Sequence, residues 1–201
     1  MSILVGHQAP DFTLPAVLAN GEIVDKFNLY ETIKGKHALV FFYPLDFTFV
    51  CPSELIALNH RMAEFKQRHV EVIAISIDSQ FTHNAYRQTA IKDGGIGPVD
   101  YTLVADMRHH VCQAFGVEHP VAGVALRAAF VIDKQGLVRS QIVNDLPIGR
   151  NIDEIIRIID AVQFFETHGE VCPAGWQKGH PGMKANPQGV ADYLASNADK
   201  L

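Results

Sequence analysis

Residues 41–54 read Phe41-Phe-Tyr-Pro44-Leu-Asp-Phe-Thr48-Phe-Val-Cys51-Pro52-Ser-Glu54, and this stretch joins a buried strand to an amphipathic helix. The strand is predicted to end at Tyr43, because Pro44 follows it and turns the chain. The helix is predicted to begin near Cys51, since Pro52 suits the first helical position, where its missing N–H needs no partner. Cys51 is therefore expected in or beside the first helical turn, where free N–H groups and the positive end of the helix dipole favour a thiolate.

A β-α-β unit surrounds this stretch. The apolar runs His37–Tyr43 and Val70–Ile77 predict two fully buried strands. Between them, apolar residues recur at steps of three and four and predict one face of a helix; they are Leu55, Leu58, Met62 and Phe65. Two strands joined in this way lie parallel, with a right-handed crossover.

The rest of the chain continues this alternation. A helix is predicted from about Ser79 to Lys92, and a short strand over Tyr101–Ala105. A hairpin is predicted where the turn signal Lys134-Gln-Gly136 separates two apolar runs, Ala128–Asp133 and Val138–Val143. A closing helix is predicted over the periodic stretch Ile152–Phe165. This order predicts an α/β protein with a thioredoxin-like fold, in which helices flank a central mixed sheet.

The composition changes after about residue 169. Residues 169–189 contain five glycines and three prolines and show little periodicity. Val190, Tyr193 and Leu194 then fall on one helical face. We expect residues 1–169 to form the thioredoxin-like domain and residues 170–201 an extended C-terminal arm that docks on another surface.

Composition excludes several classes of protein. The chain has 201 residues, of which 48% are hydrophobic, a formal net charge of −5 and three cysteines. That length suits one full-sized folded domain rather than a disordered chain. Without a basic tract, no nucleic-acid partner is expected. Three cysteines are too few for a small disulfide-stapled protein, so their role is chemical or that of core residues.

No targeting segment, membrane span or metal motif is predicted. The N-terminal residues lack the basic and apolar regions of a signal peptide, and the longest apolar stretches, such as Ala38–Tyr43, are far too short for a membrane span. We therefore expect a cytoplasmic protein with no membrane association. The ten histidines form no His-x-x-x-His or His-Glu-x-x-His motif, so neither a metal site nor an organic cofactor is predicted.

Cys51 is the candidate nucleophile. Position 54 is glutamate, so the Cys-x-x-Cys pair of a thioredoxin-type dithiol is absent. His60 and His69 lie too far along the following helix to act as the base of a cysteine protease. These features favour a thiolate that attacks a small molecule and is later resolved by a distant thiol. The alternative is a buried cysteine that acts only as a small hydrophobic residue.

The spacing Pro44-x-x-x-Thr48-x-x-Cys51 resembles the active-site motif of the peroxiredoxins, and Phe49–Glu54 is similar to that of the typical 2-Cys subgroup, which includes bacterial alkyl hydroperoxide reductase C. The resemblance implies that Cys51 is the peroxidatic cysteine, which attacks a hydroperoxide and becomes a sulfenic acid. It also implies that Cys172, in Glu170-Val-Cys-Pro173, is the resolving cysteine, supplied by the partner subunit and joined to Cys51 in an intersubunit disulfide.

Other site residues follow from the same resemblance. Arg127 matches the family's active-site arginine, and a guanidinium favours a thiolate and donates hydrogen bonds to peroxide oxygens. Thr48 is expected to polarise and position the peroxide. Pro44 is expected to shield the thiolate from water, and Glu54 to orient arginines rather than to act as a base. Cys112 matches neither motif, and its apolar helical neighbours predict a core residue.

The resemblance also implies partners. The substrates are hydroperoxides, and a thiol reductant protein, either thioredoxin or a dedicated flavoprotein, regenerates the dithiol. The expected assembly is a homodimer, with five dimers in a decamer and Phe81-Thr82 at the contact between dimers. Two alternative functions remain open at this point, an oligomeric holdase chaperone and a peroxide sensor that relays its disulfide to a client protein.

One pair of motifs bears on overoxidation. Gly94-Gly-Ile-Gly97 resembles the Gly-Gly-Leu-Gly motif that accompanies slow resolution in this subgroup. Its usual companion, Tyr-Phe in the C-terminal helix, is replaced here by Tyr193-Leu194. If the C-terminal helix covers the active site, Cys51 meets Cys172 only after local unfolding. A weaker cover then predicts faster disulfide formation and less sulfinic acid.

Overall fold

The computed structural model describes residues 3–200, except for the side chain of Lys200. Its strands are β1 (Thr13–Val17), β2 (Ile23–Asn28), β3 (His37–Phe42), β4 (Val70–Ser76), β5 (Thr102–Ala105), β6 (Arg127–Ile132) and β7 (Val138–Asn144). Its α-helices are α1 (Leu29–Ile33), α2 (Cys51–His60), α3 (Met62–Gln67), α4 (Gln80–Gln88), α5 (His110–Ala114), α6 (Ile152–His168) and α7 (Pro187–Asn197), and short 3₁₀ turns cover Ile91–Asp93 and Ala198–Lys200.

The strands form one mixed sheet in the order β2-β1-β5-β4-β3-β6-β7. Strand β3 pairs parallel with β4, and β4 pairs parallel with β5, whereas the other neighbours pair antiparallel. Every residue of β3 and β6 is buried. The predicted β-α-β unit and the predicted hairpin are both confirmed, and the fold is the thioredoxin-like mixed sheet flanked by helices.

An aromatic cluster supports the central strands. Phe42 of β3, Phe130 of β6 and Phe115, which follows α5, have ring centroids 5.0–5.9 Å apart. All three side chains are fully buried. Phe42 is the last residue of β3, so the cluster gives the chain a rigid base where it leaves the sheet toward Cys51.

The predicted single helix over Leu55–Phe65 is two helices. At Arg61, φ is −102° and ψ is 4°, and the backbone N–H points to the carbonyls of Leu58 and Asn59 instead of continuing the α-helical ladder. The four apolar residues of the predicted face are nevertheless all buried. The periodicity therefore identified the buried face correctly but carried no signal for the break.

The N-terminal hairpin of β1 and β2 was not predicted. Pro15 lies in β1, where it cannot donate a ladder hydrogen bond, and the register shifts between Leu14 and Ala16. A bulge at this position accommodates the proline. Strand β2 carries exposed Asp25 and Lys26 at the edge of the sheet, so neither strand shows the apolar pattern of the central strands.

The chain divides into two compact units, residues 1–152 and residues 153–201. The second unit contains nearly all of α6 as well as α7. The boundary expected after residue 169, where the C-terminal arm that carries Cys172 would begin, stays a prediction. Within residues 3–200, no helix combines the length and apolar character that crossing a bilayer demands.

Candidate active site

Cys51 is the first residue of α2, and its side chain is fully buried. Strand β3 ends at Phe42, one residue before the predicted end at Tyr43, and the chain reaches the helix through the loop 43–50. Pro52 occupies the first turn of the helix. The Cys51 sulfur therefore lies at the positive end of α2, where the backbone N–H groups of Ser53 and Glu54 both donate to the Val50 carbonyl.

A buried network holds the loop 43–50 in place. The Asp46 carboxylate accepts a hydrogen bond from the Tyr43 hydroxyl at 2.7 Å, and its other oxygen lies 2.7 Å from Nδ1 of His83. The backbone N–H of Asp46 donates to the Asp78 carboxylate at 2.9 Å. Phe47 has a positive φ of 52°, and its ring packs on Tyr86 with centroids 4.6 Å apart. These contacts fix the conformation of the loop 43–50 that precedes Cys51.

Two side chains reach the Cys51 sulfur. The Thr48 hydroxyl oxygen lies 2.9 Å from Sγ and also 2.9 Å from the Leu45 carbonyl. Its single proton can go to the sulfur when Cys51 is a thiolate, and to Leu45 when the thiol itself donates. Nη1 of Arg127 lies 3.4 Å from the same sulfur. Register explains this approach, because Phe42 pairs with Ala128, so β6 starts where β3 ends.

Glu54 connects two buried arginines. Its carboxylate accepts hydrogen bonds from Nη1 of Arg127 at 2.8 Å, and from Nε and Nη2 of Arg150 at 2.9 and 3.0 Å. The backbone N–H of Arg150 adds a fourth donor at 2.7 Å. Burial alone would raise the pKa of Glu54, but the hydrogen bonds and charge of Arg150, with the charge of Arg127, outweigh it and lower the pKa. Glu54 is therefore an anion that orients arginines.

Sequence reasoning missed Arg150. Its side chain is fully buried, and it donates to the carbonyls of Phe42 and Ala128 at 2.8 and 2.6 Å. Its guanidinium carbon also lies 3.3 Å from the centre of the Phe41 ring. Arg150 therefore ties β3 to β6 and is linked to the Cys51 site through Glu54. It follows an irregular loop, and nothing in that loop's pattern separates a buried arginine from an exposed one.

An apolar cavity of about 610 Å³ opens beside the Cys51 thiol. Thr48 and Arg127, the two residues that contact the sulfur, line it. The rest of the lining is largely apolar and includes Pro44, Leu45, Val50, Val124, Leu146 and Pro147. Pro44 is buried, in keeping with the predicted shielding role. A small polar group can thus meet the sulfur while an attached carbon chain lies on apolar surface.

Cys172 lies in the second unit, after α6, and is partly buried. Its sulfur lies 3.5 Å from the Ala161 carbonyl. Burial raises the pKa of the Cys172 thiol, and the positive charge of Arg157 partly opposes this effect. Arg157 binds Glu154 through Nε and Nη2 at 2.6 and 2.8 Å, and donates to the Trp176 carbonyl at 2.8 Å. Arg157 therefore fixes the segment that carries Cys172.

Cys112 is a core residue, as predicted, with 1% of its surface exposed. Burial, together with the charges of Asp106 and Glu118, raises the pKa of its thiol to about 12. A thiol in this state is a poor nucleophile at neutral pH. The structure thus brings five of the six predicted site residues together around Cys51, places Cys172 within its own unit and leaves Cys112 outside the site.

Comparison with known proteins agrees with this geometry. The model of the AhpC/TSA family matches residues 5–141, and the model of the C-terminal domain of 1-Cys peroxiredoxin matches residues 161–196. The chain belongs to the AhpC/TSA family of peroxiredoxins. It is 49% identical over 199 residues to alkyl hydroperoxide reductase C of Helicobacter pylori, which covers 99% of this chain and 100% of the relative.

Other peroxiredoxin relatives match over the same length. The chain is 47% identical over 198 residues to alkyl hydroperoxide reductase C of Buchnera aphidicola subsp. Baizongia pistaciae, covering 98% of this chain and 100% of the relative. The reduced 2-Cys peroxiredoxin of Plasmodium vivax superposes with a TM-score of 0.93 at 45% identity, covering 96% of this chain and 100% of that one. The resemblance to the 2-Cys peroxiredoxins is thereby confirmed over the whole chain.

Of the two motifs that the family resemblance links to overoxidation, one directly follows the 3₁₀ turn Ile91–Asp93 and the other lies in α7. A Cβ added at Gly95 would lie 2.1 Å from the Thr89 carbonyl oxygen, so only glycine fits that position. Gly94 and Gly97 have positive φ angles of 85° and 66°. Tyr193 and Leu194 lie in α7, where Leu194 is 44% exposed. The effect of Leu194 on overoxidation stays a prediction.

Proposed function

We propose that this chain is a thiol-dependent peroxidase that reduces hydrogen peroxide and organic hydroperoxides, with Cys51 as its nucleophile. The observation that supports this most directly is the position of the Cys51 sulfur, 2.9 Å from the Thr48 hydroxyl and 3.4 Å from the Arg127 guanidinium, beside an apolar cavity. A cationic donor and a hydroxyl at one sulfur suit a reaction in which negative charge moves from sulfur to oxygen.

The first step converts the thiolate to a sulfenic acid. The Cys51 thiolate attacks one peroxide oxygen, the S–O bond forms as the O–O bond breaks, and the departing oxygen leaves as alkoxide or hydroxide and takes up a proton. Arg127 is assigned to hold the peroxide and stabilise the charge on its oxygens, and Thr48 to hydrogen-bond the reacting atoms. Glu54 and Arg150 are assigned to keep Arg127 in place, and Pro44 to exclude water.

The second step is assigned to Cys172 of a second copy of the chain. Its thiolate attacks the Cys51 sulfenic sulfur, an intersubunit disulfide forms, and the sulfenic oxygen leaves as water after protonation. A reductant dithiol then exchanges with this disulfide, so the reductant is oxidised and both cysteines return to thiols. We assign the reductant role to thioredoxin or a dedicated flavoprotein, the assembly to dimers and decamers, and the location to the cytoplasm.

A non-reducing gel tests the assignment of the two thiols. One equivalent of hydroperoxide should convert the reduced wild type into a disulfide-linked dimer. Cys51→Ser and Cys172→Ser should each abolish that dimer, because each removes one of the two sulfurs. Cys112→Ser is the matched control and should form the dimer like the wild type. A dimer that depends on Cys112, or one that survives Cys51→Ser, would overturn the assignment.

A second assay tests turnover. Hydroperoxide consumption should require an added thiol reductant, and Cys51→Ser should abolish it. Supplying thioredoxin with its reductase, or the flavoprotein reductase with NADH, in parallel reactions identifies the preferred reductant. Hydroperoxide consumption that continues in Cys51→Ser would contradict the proposed function.

A further inference from the structure

Three side chains with ligand atoms for a soft or borderline metal converge at one end of α5. The structure places His109, Cys112 and Glu118 so that one donor atom from each lies within 4.8 Å of the other two. The group is separate from the Cys51 site, and none of its members lines the cavity beside Cys51. We propose that His109, Cys112 and Glu118 form a zinc site, with water in the fourth position.

The donor set suits zinc. Thiolate, imidazole and carboxylate are its three protein ligands, at about 2.3, 2.0–2.1 and 2.0–2.2 Å. Around a tetrahedral ion, donors at those lengths lie about 3.3–3.6 Å from one another. Nδ1 of His109 and Oε1 of Glu118 now lie 2.7 Å apart, joined by a hydrogen bond. Exchanging that bond for an ion opens this pair by about 0.7 Å and requires the sulfur, now within 4.8 Å of both atoms, to lie about 3.6 Å from them.

The three ligands are held before any ion arrives. His109 precedes α5 with a left-handed φ of 61°, which is uncommon for a residue other than glycine and costs free energy. The second oxygen of the Glu118 carboxylate accepts a hydrogen bond from the Gln113 side chain at 2.9 Å. This bond orients the carboxylate as a supporting residue does in metal sites. The backbone N–H of Cys112 donates to the Asp106 carboxylate at 2.8 Å, which fixes the position of the cysteine.

Exposure distinguishes this group from a second one of similar composition. Asp46, Asp78 and His83 also have converging donor atoms, but the Asp46 and His83 side chains are 0% exposed. Further buried side chains bind these carboxylates, since Tyr43 donates to Asp46 and Ser76 donates to Asp78, at 2.7 and 2.6 Å. The side chains of His109 and Glu118 are 27% and 30% exposed, so an ion can reach their donor atoms from solvent. The Cys112 thiol is buried and its pKa is raised, so it gives up its proton only when the ion binds.

The site lies at the base of a hairpin-like segment, residues 117–126. The backbone pairs Glu118 with Ala125, and Leu126 donates to the Val117 carbonyl at 2.7 Å. Farther along this segment, Ala122 and Val124 line the cavity beside Cys51. A metal that joins Glu118 to α5 would fix the base of this segment, and the water in its fourth position would leave one coordination site open.

Cobalt provides a selective test, since Co²⁺ replaces Zn²⁺ and reports sulfur ligation by a charge-transfer band. The double variant Cys51→Ser/Cys172→Ser leaves Cys112 as the single cysteine of the chain. Any sulfur-to-cobalt band must then come from Cys112. We expect that band to saturate at one equivalent of Co²⁺, to disappear on addition of Zn²⁺, and to be absent after the further change Cys112→Ser. The double variant has no peroxidase thiol, so the result is independent of the proposed function.

Surface variants keep the test valid if Cys112→Ser impairs folding. His109→Asn removes the imidazole but introduces asparagine, which also tolerates the left-handed backbone conformation. Glu118→Gln removes only the charge. Gln113→Ala should lower the affinity for Co²⁺ by about 10–100-fold. His109→Asn and Glu118→Gln should each lower it further. His110→Asn, at the exposed neighbouring histidine, is the control and should bind like the parent. Failure of the parent to give the band would show a buried thiol beside an ordinary ion pair. An equally strong band in His109→Asn would show that His109 is not a ligand, and either result would overturn the proposal.

Discussion

At the residue scale, the proposed chemistry depends on the two side chains that contact the Cys51 sulfur. Thr48 supplies one hydroxyl and Arg127 one N–H within hydrogen-bond reach. Arg127 has little freedom to move, because it also binds Glu54 and the Leu146 carbonyl. Preorganised donors of this kind lower the barrier because they need no rearrangement as charge develops.

Thr48→Val should slow the reaction of Cys51 with hydroperoxide by about 100-fold, the usual loss when one such donor is removed. Valine keeps the shape of threonine and loses only the hydroxyl. Stopped-flow measurement of thiol oxidation under excess peroxide gives the second-order rate constant. Thr48→Ser retains the hydroxyl and should stay within a few-fold of the wild type. Equal rates for the valine and serine variants would show that the hydroxyl takes no part.

Glu54→Gln should lower the free energy of unfolding by about 3–5 kcal/mol at pH 7, because two buried arginines lose their shared anion. The folded pKa of Glu54 lies below its ordinary 4.5, so this stabilisation is present above pH 4.5 and declines as the pH falls through the lowered pKa. Urea unfolding from pH 7 down to pH 3 should show the wild type and the variant converging at the acid end. Exposed Glu31→Gln is the control, and a pH-independent gap would contradict the argument.

At the scale of elements, the sequence predicted the parts of the site that local patterns determine. Strand β3 and the start of α2 are indicated by an apolar run and by Pro52, so the position of Cys51 follows from local sequence. The approach of Arg127 depends on the register between β3 and β6, which only the family motif indicated. Arg150 and the break at Arg61 depend on tertiary contacts, and no local pattern reports them.

Helix α6 should govern the reactivity of Cys172 through Arg157. Replacing Arg157 with glutamine removes the charge that partly opposes the raised pKa of Cys172. The thiolate fraction at neutral pH should therefore fall, and disulfide formation after a peroxide pulse should slow several-fold. The difference should vanish as the pH rises through the Cys172 pKa, since both proteins are then ionised. Quenched samples on non-reducing gels from pH 6 to pH 10 measure this rate.

Arg157→Lys separates charge from geometry in the same experiment. Lysine keeps a positive charge but cannot hold Glu154 with two parallel bonds while donating to the Trp176 carbonyl. If charge matters most, the lysine variant should stay close to the wild type. If the Arg157→Gln variant and the wild type form the disulfide at the same rate across the whole pH range, Arg157 affects Cys172 neither through its charge nor through its geometry.

At the scale of the whole molecule, function requires at least two copies of the chain, because the proposed disulfide joins Cys51 of one copy to Cys172 of another. Phe81, near the start of α4, is 67% exposed. The family motif places this residue and Thr82 at the contact between dimers. An exposed aromatic residue near the start of a capped helix offers a rigid apolar contact for another subunit.

Phe81→Asp should therefore reduce the proposed decamer to dimers, because a charge buried in an apolar contact is not compensated. Light scattering after size exclusion measures the mass of the reduced protein directly. Ile23→Asp, at a partly exposed apolar residue on the edge strand β2, is the control and should leave the mass unchanged. The Phe81→Asp variant should still form the Cys51–Cys172 dimer on non-reducing gels, because that disulfide belongs to the dimer and not to the contact between dimers. An unchanged mass for Phe81→Asp would place the contact between dimers elsewhere. Loss of the peroxide-dependent disulfide would show instead that Phe81 belongs to the dimer interface itself.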